Sequence, residues 1–258
     1  MKLIILAAGR GSRLSKYTGN LPKGMLQFND KPLIEHNLNI FKYFGISEVV
    51  IIKGYLEEKI NFDEVTYFIN KDYLVTNMVE SLMCAEEELN GPCIVLYSDI
   101  ILDEKSVSSL LDSKSDIGVM IDVDFQEYWK SRLGNEYVND MESLKISDNK
   151  IIDIGNQESK IEMVDGRYVG AIAFSKKGIN ILKDSYHFYK SEGLRNKEGN
   201  RSIENWHMTD LLQQLILDGN TVNPIRIKRG WLEFDTDEDY ELYNKWLENN
   251  SIRNFINF

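Results

Sequence analysis

Glycines and positive charges directly follow the first apolar stretch of this chain. Residues 3–6 are Leu-Ile-Ile-Leu, an unbroken apolar run typical of a strand buried on both faces of a parallel sheet. Gly9 and Gly11 come next, and glycine permits backbone conformations and close ligand approaches that other residues do not. Arg13 and Lys23 lie in the same short span of a protein whose net charge is −11. A buried strand, a small-residue turn and nearby cations predict a loop that binds phosphate groups.

Two well-known phosphate-binding loops do not match this stretch. The P-loop requires Gly-Lys-Ser/Thr after its glycines, and no such triplet follows Gly11. The dinucleotide-binding fingerprint requires a third glycine where this chain has Leu14. A different kind of phosphate loop is therefore expected. The simpler alternative for Lys23 is a solvated lysine at the surface.

A carboxylate closes another apolar run. Residues 93–97 are Cys-Ile-Val-Leu-Tyr, and Ser98 and Asp99 follow them. An isolated carboxylate at the end of a buried strand is costly unless it is paired or binds a cation. Mg²⁺ is commonly held by one or two carboxylates together with waters and phosphate oxygens, so Asp99 is a candidate metal ligand.

The elements that would position these side chains alternate between strands and helices in the first hundred residues. Apolar runs predict strands at 3–6, 49–52, 65–69, 93–97, 118–123, 168–174 and 222–227. Helical spacing predicts helices at 33–44, 77–89, 179–189, 207–218 and 237–247. An antiparallel hairpin is expected at 144–155, turning at Asp148-Asn149, whereas residues 129–140 show no clear periodicity.

This order of elements predicts an α/β fold with a doubly wound, mostly parallel sheet. We expect a single domain, 1–258, with a small strand-rich subdomain at about 120–170. Ligands bind beyond the carboxyl ends of the strands in such sheets, so the loop after the first strand and Asp99 belong to one rim. The polar segment 191–205 is the expected mobile loop and a candidate lid.

Composition excludes several function classes. A net charge of −11 argues against nucleic-acid binding, which needs a basic face. No apolar run approaches the length of a membrane span, and the first residues read as a strand rather than a signal peptide. Cys84 and Cys93 form no disulfide framework and lack metal-ligand spacing with histidine. We expect a cytoplasmic protein with no membrane or nucleic-acid partner.

A longer string around the glycines resembles a known family. Leu6-Ala7-Ala8-Gly9-Arg10-Gly11-Ser12-Arg13-Leu14, with Pro22-Lys23 downstream, resembles the signature of nucleotidyltransferases that join a nucleoside triphosphate to a phosphorylated small molecule. The resemblance implies a Rossmann-like, GT-A-like fold, with Arg13 and Lys23 as catalytic cations on the phosphates. It also implies nucleotide contacts by Leu6, Ala7, Ala8, Gly9, Gly11, Ser12 and Ser98.

The same resemblance implies a magnesium site. The family has an aspartate at the position of Asp99, usually after glycine, where this chain has Ser98. The run 231–239, Trp-Leu-Glu-Phe-Asp-Thr-Asp-Glu-Asp, resembles the family's C-terminal segment, in which an aspartate before threonine completes the Mg²⁺ site. That aspartate is Asp235. Its alternative role is a helix N-cap, and residues 237–239 are read as acids in the first turn of a helix.

The choice of base rests on residues 73–82. Thr76-Asn77, followed by Ser81-Leu82, resembles the corresponding segment of choline-phosphate and phosphonate cytidylyltransferases. The resemblance implies that Asn77 and Ser81 lie near the nucleotide base and that CTP is the donor. A helix N-cap at Thr76 or Asn77 is the alternative, and both roles are compatible.

The acceptor site is expected in the middle of the chain. Asp124, Trp129 and Arg132 resemble the Asp…Trp…Arg stretch of the phosphonate-type enzymes, and Glu158 and Tyr168 belong to a further family-like segment. Carboxylates and aromatic faces suit a cationic amine on the acceptor. The alternative for the aromatic residues is a place in the core.

These features together predict a CTP-dependent cytidylyltransferase that activates an amine-bearing phosphorylated or phosphonate metabolite for surface-glycan or lipid decoration, with release of pyrophosphate. A sugar-1-phosphate nucleotidylyltransferase using UTP, TTP or GTP is the first alternative. A catalytically silent nucleotide-binding regulatory protein is the second. A homodimer is expected from the family resemblance only.

Overall fold

The computed structural model describes residues 1–157 and 160–258. Its strands run from the first residues almost to the C-terminal helix: β1 (Lys2–Ala7), β2 (Gln27–Phe28), β3 (Lys31–Pro32), β4 (Val49–Lys53), β5 (Val65–Ile69), β6 (Cys93–Tyr97), β7 (Ile100–Leu102), β8 (Ile117–Asp122), β9 (Glu142–Ser147), β10 (Lys150–Gln157), β11 (Arg167–Phe174), β12 (Asn223–Ile227) and β13 (Trp231–Glu233).

The α-helices fill the connections between strands: α1 (Ser15–Thr18), α2 (Leu33–Tyr43), α3 (Met78–Met83), α4 (Glu104–Leu111), α5 (Phe125–Leu133), α6 (Lys176–Ser191), α7 (Met208–Leu217) and α8 (Asp237–Glu248). No helix within the described ranges is both long and apolar enough to cross a bilayer.

Seven strands form the central sheet, in the order β12-β8-β11-β6-β1-β4-β5. Its pairs are parallel except those made by β11, which runs antiparallel to both β6 and β8. The apolar side chains of β1, from Leu3 to Leu6, are almost fully buried because the strand is central and covered on both faces. The predicted α/β class with a mostly parallel sheet is therefore confirmed.

The two ends of the 120–170 region are strands of this central sheet rather than parts of a separate layer. β8 and β11 pair with each other, and among the described residues of this region β9 and β10 form a separate two-stranded antiparallel sheet. The hairpin turns at Asp148 and Asn149, both with positive φ, as its sequence predicted. It is fastened to the rest of the molecule by Ile151 N–H, which donates to Val222 O at 2.8 Å.

The local predictions failed at several helices, and α1 and α4 were not predicted at all. Residues 125–133 form α5, although the polar and aromatic residues from 129 onward showed no clear periodicity. Phe125, Tyr128 and Trp129 share one helical face and are buried, so the signal lay in the aromatic residues at the start of the helix. The predicted helix 77–89 ends at Met83, and residues 86–88 continue as a short 3₁₀ turn. Residues 86–88 are three consecutive glutamates, and negative side chains near the C-terminal end of a helix destabilise it through the helix dipole.

Candidate active site

One cavity of about 320 Å³ opens beyond the carboxyl ends of β1 and β6. It is lined by three parts of the chain: the loop after β1, the start of α3, and a charged group contributed by distant segments. The lining residues are Leu6, Ala8, Gly9, Gly11, Ser12, Arg13, Lys23, Tyr73, Thr76, Asn77, Met78, Ser81, Tyr97, Ser98, Asp99, Glu233 and Asp235.

The loop after β1 requires glycine at residue 11. Gly11 has φ +67°, a left-handed conformation that strains other residues. A Cβ on Gly11 would also lie 3.0 to 3.1 Å from three carbons of the Lys23 side chain. The glycine therefore allows the lysine stem to pass against the loop backbone and reach the cavity.

Lys23 lies between the two aspartates that were predicted to bind metal. Its Nζ is 2.7 Å from Asp99 Oδ2 and 3.0 Å from Asp235 Oδ1, and the lysine side chain is 12% exposed. The alternative of a solvated surface lysine is therefore wrong. Burial disfavours the charged ammonium, but the two carboxylates outweigh it and raise the pKa of Lys23 above its ordinary value.

Arg13 completes the ionic group from the solvent side. Its Nη1 is 2.8 Å from Asp235 Oδ2, while 71% of the arginine side chain is exposed. An exposed guanidinium next to a buried ammonium places positive charge both at the mouth and at the base of the cavity. That distribution suits a polyphosphate lying along the loop.

The two aspartates fit a divalent cation in type and number. Asp99 Oδ1 is buried and has no hydrogen-bond partner among the described residues, so one acceptor oxygen remains for a ligand. Burial raises the pKa of Asp235, and Lys23 works against that effect. No group of three or more metal-ligating side chains occurs in the described ranges, so such an ion would take its remaining ligands from water and substrate.

The end of the cavity near α3 is a polar network. Asn70 Nδ2 donates to Thr76 Oγ1 at 3.0 Å and to Ser81 Oγ at 2.9 Å. Ser81 Oγ donates in turn to Asn77 O at 3.1 Å. Asn77 caps α3, its Oδ1 accepting from Met78 N at 2.8 Å. Asn77 therefore both caps α3 and lines the cavity.

The structure brings together the predicted phosphate, base and metal residues. Of that set only Ala7 is absent from the cavity lining, because its side chain belongs to the buried strand β1. Sequence reasoning missed Tyr73, Thr76, Met78, Tyr97 and Glu233. All five had a signal: Tyr73, Thr76 and Met78 lie in the segment 73–82 that was linked to the base, Tyr97 directly precedes Ser98-Asp99, and Glu233 lies two residues before Asp235.

The residues predicted to contact the acceptor do not line the cavity. Trp129 has no exposed surface and stacks on Trp231, with ring centroids 5.7 Å apart, so it is a core residue as the alternative held. Arg132 is 3% exposed and fully engaged by carboxylates. Asp124 lies outside the cavity lining and pairs with Arg229 at 3.2 Å. Direct acceptor contacts by these three residues are therefore not supported.

The other two predicted acceptor residues have different outcomes. Tyr168 lies behind the cavity wall and meets Tyr97 edge to face, with centroids 5.8 Å apart. Tyr97 is the ring that faces the cavity. Glu158 lies outside the described residues.

A family model describes the first half of this chain. The model of MobA-like NTP transferase domains matches residues 3–132. That range contains the loop after β1, the start of α3 and Asp99.

Two curated proteins with similar sequences are cytidylyltransferases. This chain is 30% identical over 253 residues to the CTP:phosphoglutamine cytidylyltransferase of Campylobacter jejuni, and the match covers 94% of this chain and 98% of that protein. It is 40% identical over 99 residues to the choline-phosphate cytidylyltransferase of Streptococcus pneumoniae, covering 37% of this chain and 43% of that one.

Solved structures show the same fold at lower identity. CTP:phosphocholine cytidylyltransferase from Streptococcus pneumoniae superimposes with a TM-score of 0.70 at 23% identity, covering 95% of this chain and 98% of that one. The inositol-1-phosphate CTP transferase of T. maritima gives a TM-score of 0.69 at 20% identity, with 95% of each chain covered.

Proposed function

This chain belongs to the family of MobA-like NTP transferase domains, and on that premise we propose that it is a CTP-dependent cytidylyltransferase acting on a small phosphorylated or phosphonate molecule. The observation that carries the proposal is the contact of Lys23 with both Asp99 and Asp235 inside the cavity. The loop with glycines and the polar start of α3 line the same cavity as this group.

The reaction transfers a cytidylyl group between phosphate oxygens. An oxygen of the acceptor phosphate or phosphonate attacks the α-phosphorus of CTP. The bond from that phosphorus to the bridging oxygen of the β-phosphate breaks, and pyrophosphate leaves with the bonding electrons. The attacking oxygen is already ionised near neutral pH, so the chain needs no general base. Its task is to orient two anions and to neutralise charge in the transition state.

We assign the neutralisation of this transition-state charge to Lys23 and Arg13. The exposed Arg13 guanidinium binds the outer phosphates as they enter along the loop. The Lys23 ammonium lies deeper and approaches the oxygens of the transferred phosphate. Asp99 and Asp235 would hold Mg²⁺, which supplies charge neutralisation and polarises the α-phosphate when bound. Lys23 exchanges part of its contact with the aspartates for contact with phosphate.

CTP is the proposed donor because of the relatives' substrates and the start of α3. The two curated relatives described above are both cytidylyltransferases. Asn77 and Ser81 line the same cavity as residues 8, 9, 11 and 12 of the loop after β1. Ser81 and Thr76 are held by Asn70, which pre-organises the polar wall for a base.

The proposed acceptor carries an amine or another group that carboxylates recognise. The two relatives act on phosphoglutamine and choline phosphate by name. Glu233 and Tyr97 line the charged end of this cavity and supply a carboxylate and an aromatic face. We further propose that the product serves surface-glycan or lipid decoration. We also propose that the enzyme works in the cytoplasm as a homodimer and that segment 191–205 acts as a lid.

Pyrophosphate release tests the proposal. The purified protein with Mg²⁺ is assayed with CTP, UTP, TTP, GTP and ATP against phosphoglutamine, phosphocholine, aminoethylphosphonate and two sugar-1-phosphates. Turnover with CTP and an amine-bearing acceptor is the expected result, and Asp99→Asn should abolish it. Turnover with sugar phosphates alone would overturn the donor and acceptor assignments. Undiminished turnover in both Asp99→Asn and Asp235→Asn would overturn the metal site, and absence of both turnover and CTP binding by calorimetry would overturn the function.

A further inference from the structure

The backbone around Asp235 is fixed by one buried carboxylate. Asp239 Oδ2 accepts the N–H of Asp235 at 3.1 Å and the N–H of Thr236 at 3.0 Å. The Asp239 side chain is 1% exposed, and its own N–H donates to Thr236 Oγ1 at 3.2 Å, closing a capping box at the start of α8. A carboxylate this deeply buried requires a cationic partner.

Arg132 is that partner, and it binds two acids at once. Its Nε donates to Asp239 Oδ1 at 2.9 Å and its Nη2 to Asp239 Oδ2 at 2.7 Å. The remaining Nη1 donates to Glu233 Oε2 at 2.7 Å. One guanidinium therefore fixes the Glu233 side chain directly and, through Asp239, the backbone of Asp235. Lysine cannot reproduce this fork geometry.

The guanidinium itself is held in place by aromatic rings. The Arg132 side chain lies over the Trp129 ring, 4.5 Å from its centroid, and Arg167 lies 4.4 Å from the same centroid. Tyr128 Oη accepts the N–H of Glu233 at 2.9 Å, and Tyr243 Oη donates to Glu233 O at 2.9 Å. The aromatic residues of α5 thus form a rigid support behind β13.

The backbone of segment 233–236 is also hydrogen-bonded to the other aspartate, Asp99. Phe234 N–H donates to Asp99 O at 2.9 Å, so the backbones that carry Asp99 and Asp235 are linked directly. With Asp239 holding the next two N–H groups, consecutive residues from Glu233 to Thr236 each have a defined hydrogen bond. The separation of the two aspartates is set by this arrangement.

We propose that Arg132 and Asp239 are positioning residues for nucleotidyl transfer, which hold Asp235 and Glu233 at the geometry that the transferred phosphate and its metal require. This inference rests on the proposed function, since it takes Asp235 as a metal-binding carboxylate. Arg132 lies outside the cavity lining and acts through the two acids. Outer residues that orient metal ligands commonly change metal affinity or activity by about 10- to 100-fold.

Arg132→Lys tests the inference, because it keeps the charge and loses the fork. Lys2→Met is the matched control: the Lys2 side chain is 12% exposed, bonds to Glu88 and lies at the opposite end of β1. Three quantities are compared: kcat, KM for CTP, and Mn²⁺ affinity measured by electron paramagnetic resonance with CTP present and no acceptor. For Arg132→Lys we expect kcat and Mn²⁺ affinity to fall about 10- to 100-fold, with KM for CTP changing less than about threefold.

A double variant covers the case in which Arg132→Lys does not fold. Arg132→Met/Asp239→Asn removes both charges, and the asparagine oxygen still accepts the N–H groups of residues 235 and 236. It should fold and show the same loss of kcat and Mn²⁺ affinity, because Glu233 loses its guanidinium partner and the asparagine side chain at position 239 is no longer oriented by a fork. Values of kcat and Mn²⁺ affinity equal to those of Lys2→Met in every folded variant would overturn the inference. If the wild type turns over no substrate pair, the proposed function fails, and the Mn²⁺ affinities by themselves decide the positioning role.

Discussion

At the scale of single residues, the two cations of the site differ in what they do for the fold. Arg13 is 71% exposed, whereas Lys23 is 12% exposed and bonds to both aspartates. An exposed ion pair contributes little to stability, whereas a buried charge left without its partner is costly. Substitution of Arg13 should therefore leave the stability almost unchanged, whereas substitution of Lys23 should lower it.

Arg13→Ala should reduce activity and leave stability almost unchanged. Loss of one cation from the transition state is expected to lower kcat/KM about 100- to 1,000-fold. The free energy of unfolding should change by less than about 0.5 kcal/mol, measured by urea denaturation. Arg10→Ala is the control, since Arg10 lies three residues earlier, is exposed, and contacts Tyr55 outside the cavity lining. Similar activity in the two variants would contradict the assignment of Arg13.

Lys23→Ala should make the protein less stable and more responsive to Mg²⁺. Without the ammonium, Asp99 and Asp235 face each other with no shared counter-charge, at a cost of about 1–3 kcal/mol, less than for a sealed pair because the cavity is open to water. A cation that binds only the folded state raises the free energy of unfolding by RT ln(1 + c/Kd), where c is the free Mg²⁺ concentration. The increase in Tm on adding Mg²⁺, measured by calorimetry, should be larger than in the wild type.

The control for the lysine experiment is Lys53→Ala. Lys53 is also 12% exposed and pairs with a glutamate, Glu57, but it lies outside the cavity lining. Its Tm should respond to Mg²⁺ as the wild type does. An equal Mg²⁺ response in all three proteins would mean that the two aspartates do not bind the ion.

At the scale of elements, the site depends on how the short helix α3 begins. The loop after β5 supplies Asn70, which is 2% exposed and bonds to both Thr76 and Ser81. The same helix start is fixed from outside, because Asn77 N–H donates to Glu204 O at 2.8 Å. The polar wall of the cavity is thus set by residues on three separate segments.

Asn70→Ala should weaken nucleotide binding more than catalysis. Its loss leaves the buried Ser81 hydroxyl without a donor and should cost about 1–2 kcal/mol of stability. If distortion of the base site costs about 1.4 kcal/mol of CTP binding free energy, KM for CTP rises about tenfold and kcat stays nearly unchanged. Steady-state kinetics measure both, and Asn90→Ala, at an exposed asparagine that bonds to Glu87 O, is the control. A fall in kcat alone would place Asn70 elsewhere in the mechanism.

At the scale of the whole molecule, the 120–170 region is built into the central sheet. β8 and β11 stand between β12 and β6, so the sheet cannot form without them. The hairpin of β9 and β10 is tied to α7 as well, since Ile154 N–H donates to Gln213 Oε1 at 2.8 Å. We therefore propose that the chain is one folding unit.

Thermal unfolding should therefore occur in a single cooperative transition. The calorimetric enthalpy should equal the van't Hoff enthalpy, and tryptophan fluorescence should give the same midpoint as far-ultraviolet circular dichroism. Trp129 and Trp231 lie near the 120–170 region and Trp206 lies near α7, so fluorescence reports on both sides of the molecule. Two resolved transitions would show that the region unfolds independently.

Local sequence determined much of this protein. The buried runs identified the main strands of the sheet, because residues 3–6 and 93–97 are apolar without interruption and a strand covered on both faces needs that pattern. Gly11 was predicted to be functional from its place just after the first apolar run, and the structure supplies the reason, since its left-handed conformation and the Lys23 side chain leave no room for a Cβ. Lys23, Asp99 and Asp235 followed from motifs that are local in sequence.

Only the tertiary structure decided what the middle segment does. Trp129 and Arg132 have residue types that suit a binding pocket, and sequence placed them there. Their partners, Asp239 and Trp231, lie about a hundred residues away in the chain, so no local pattern could reveal that they are buried behind β13. Whether an arginine meets a substrate or a buried aspartate depends on which distant element covers it, and that is settled only when the sheet assembles.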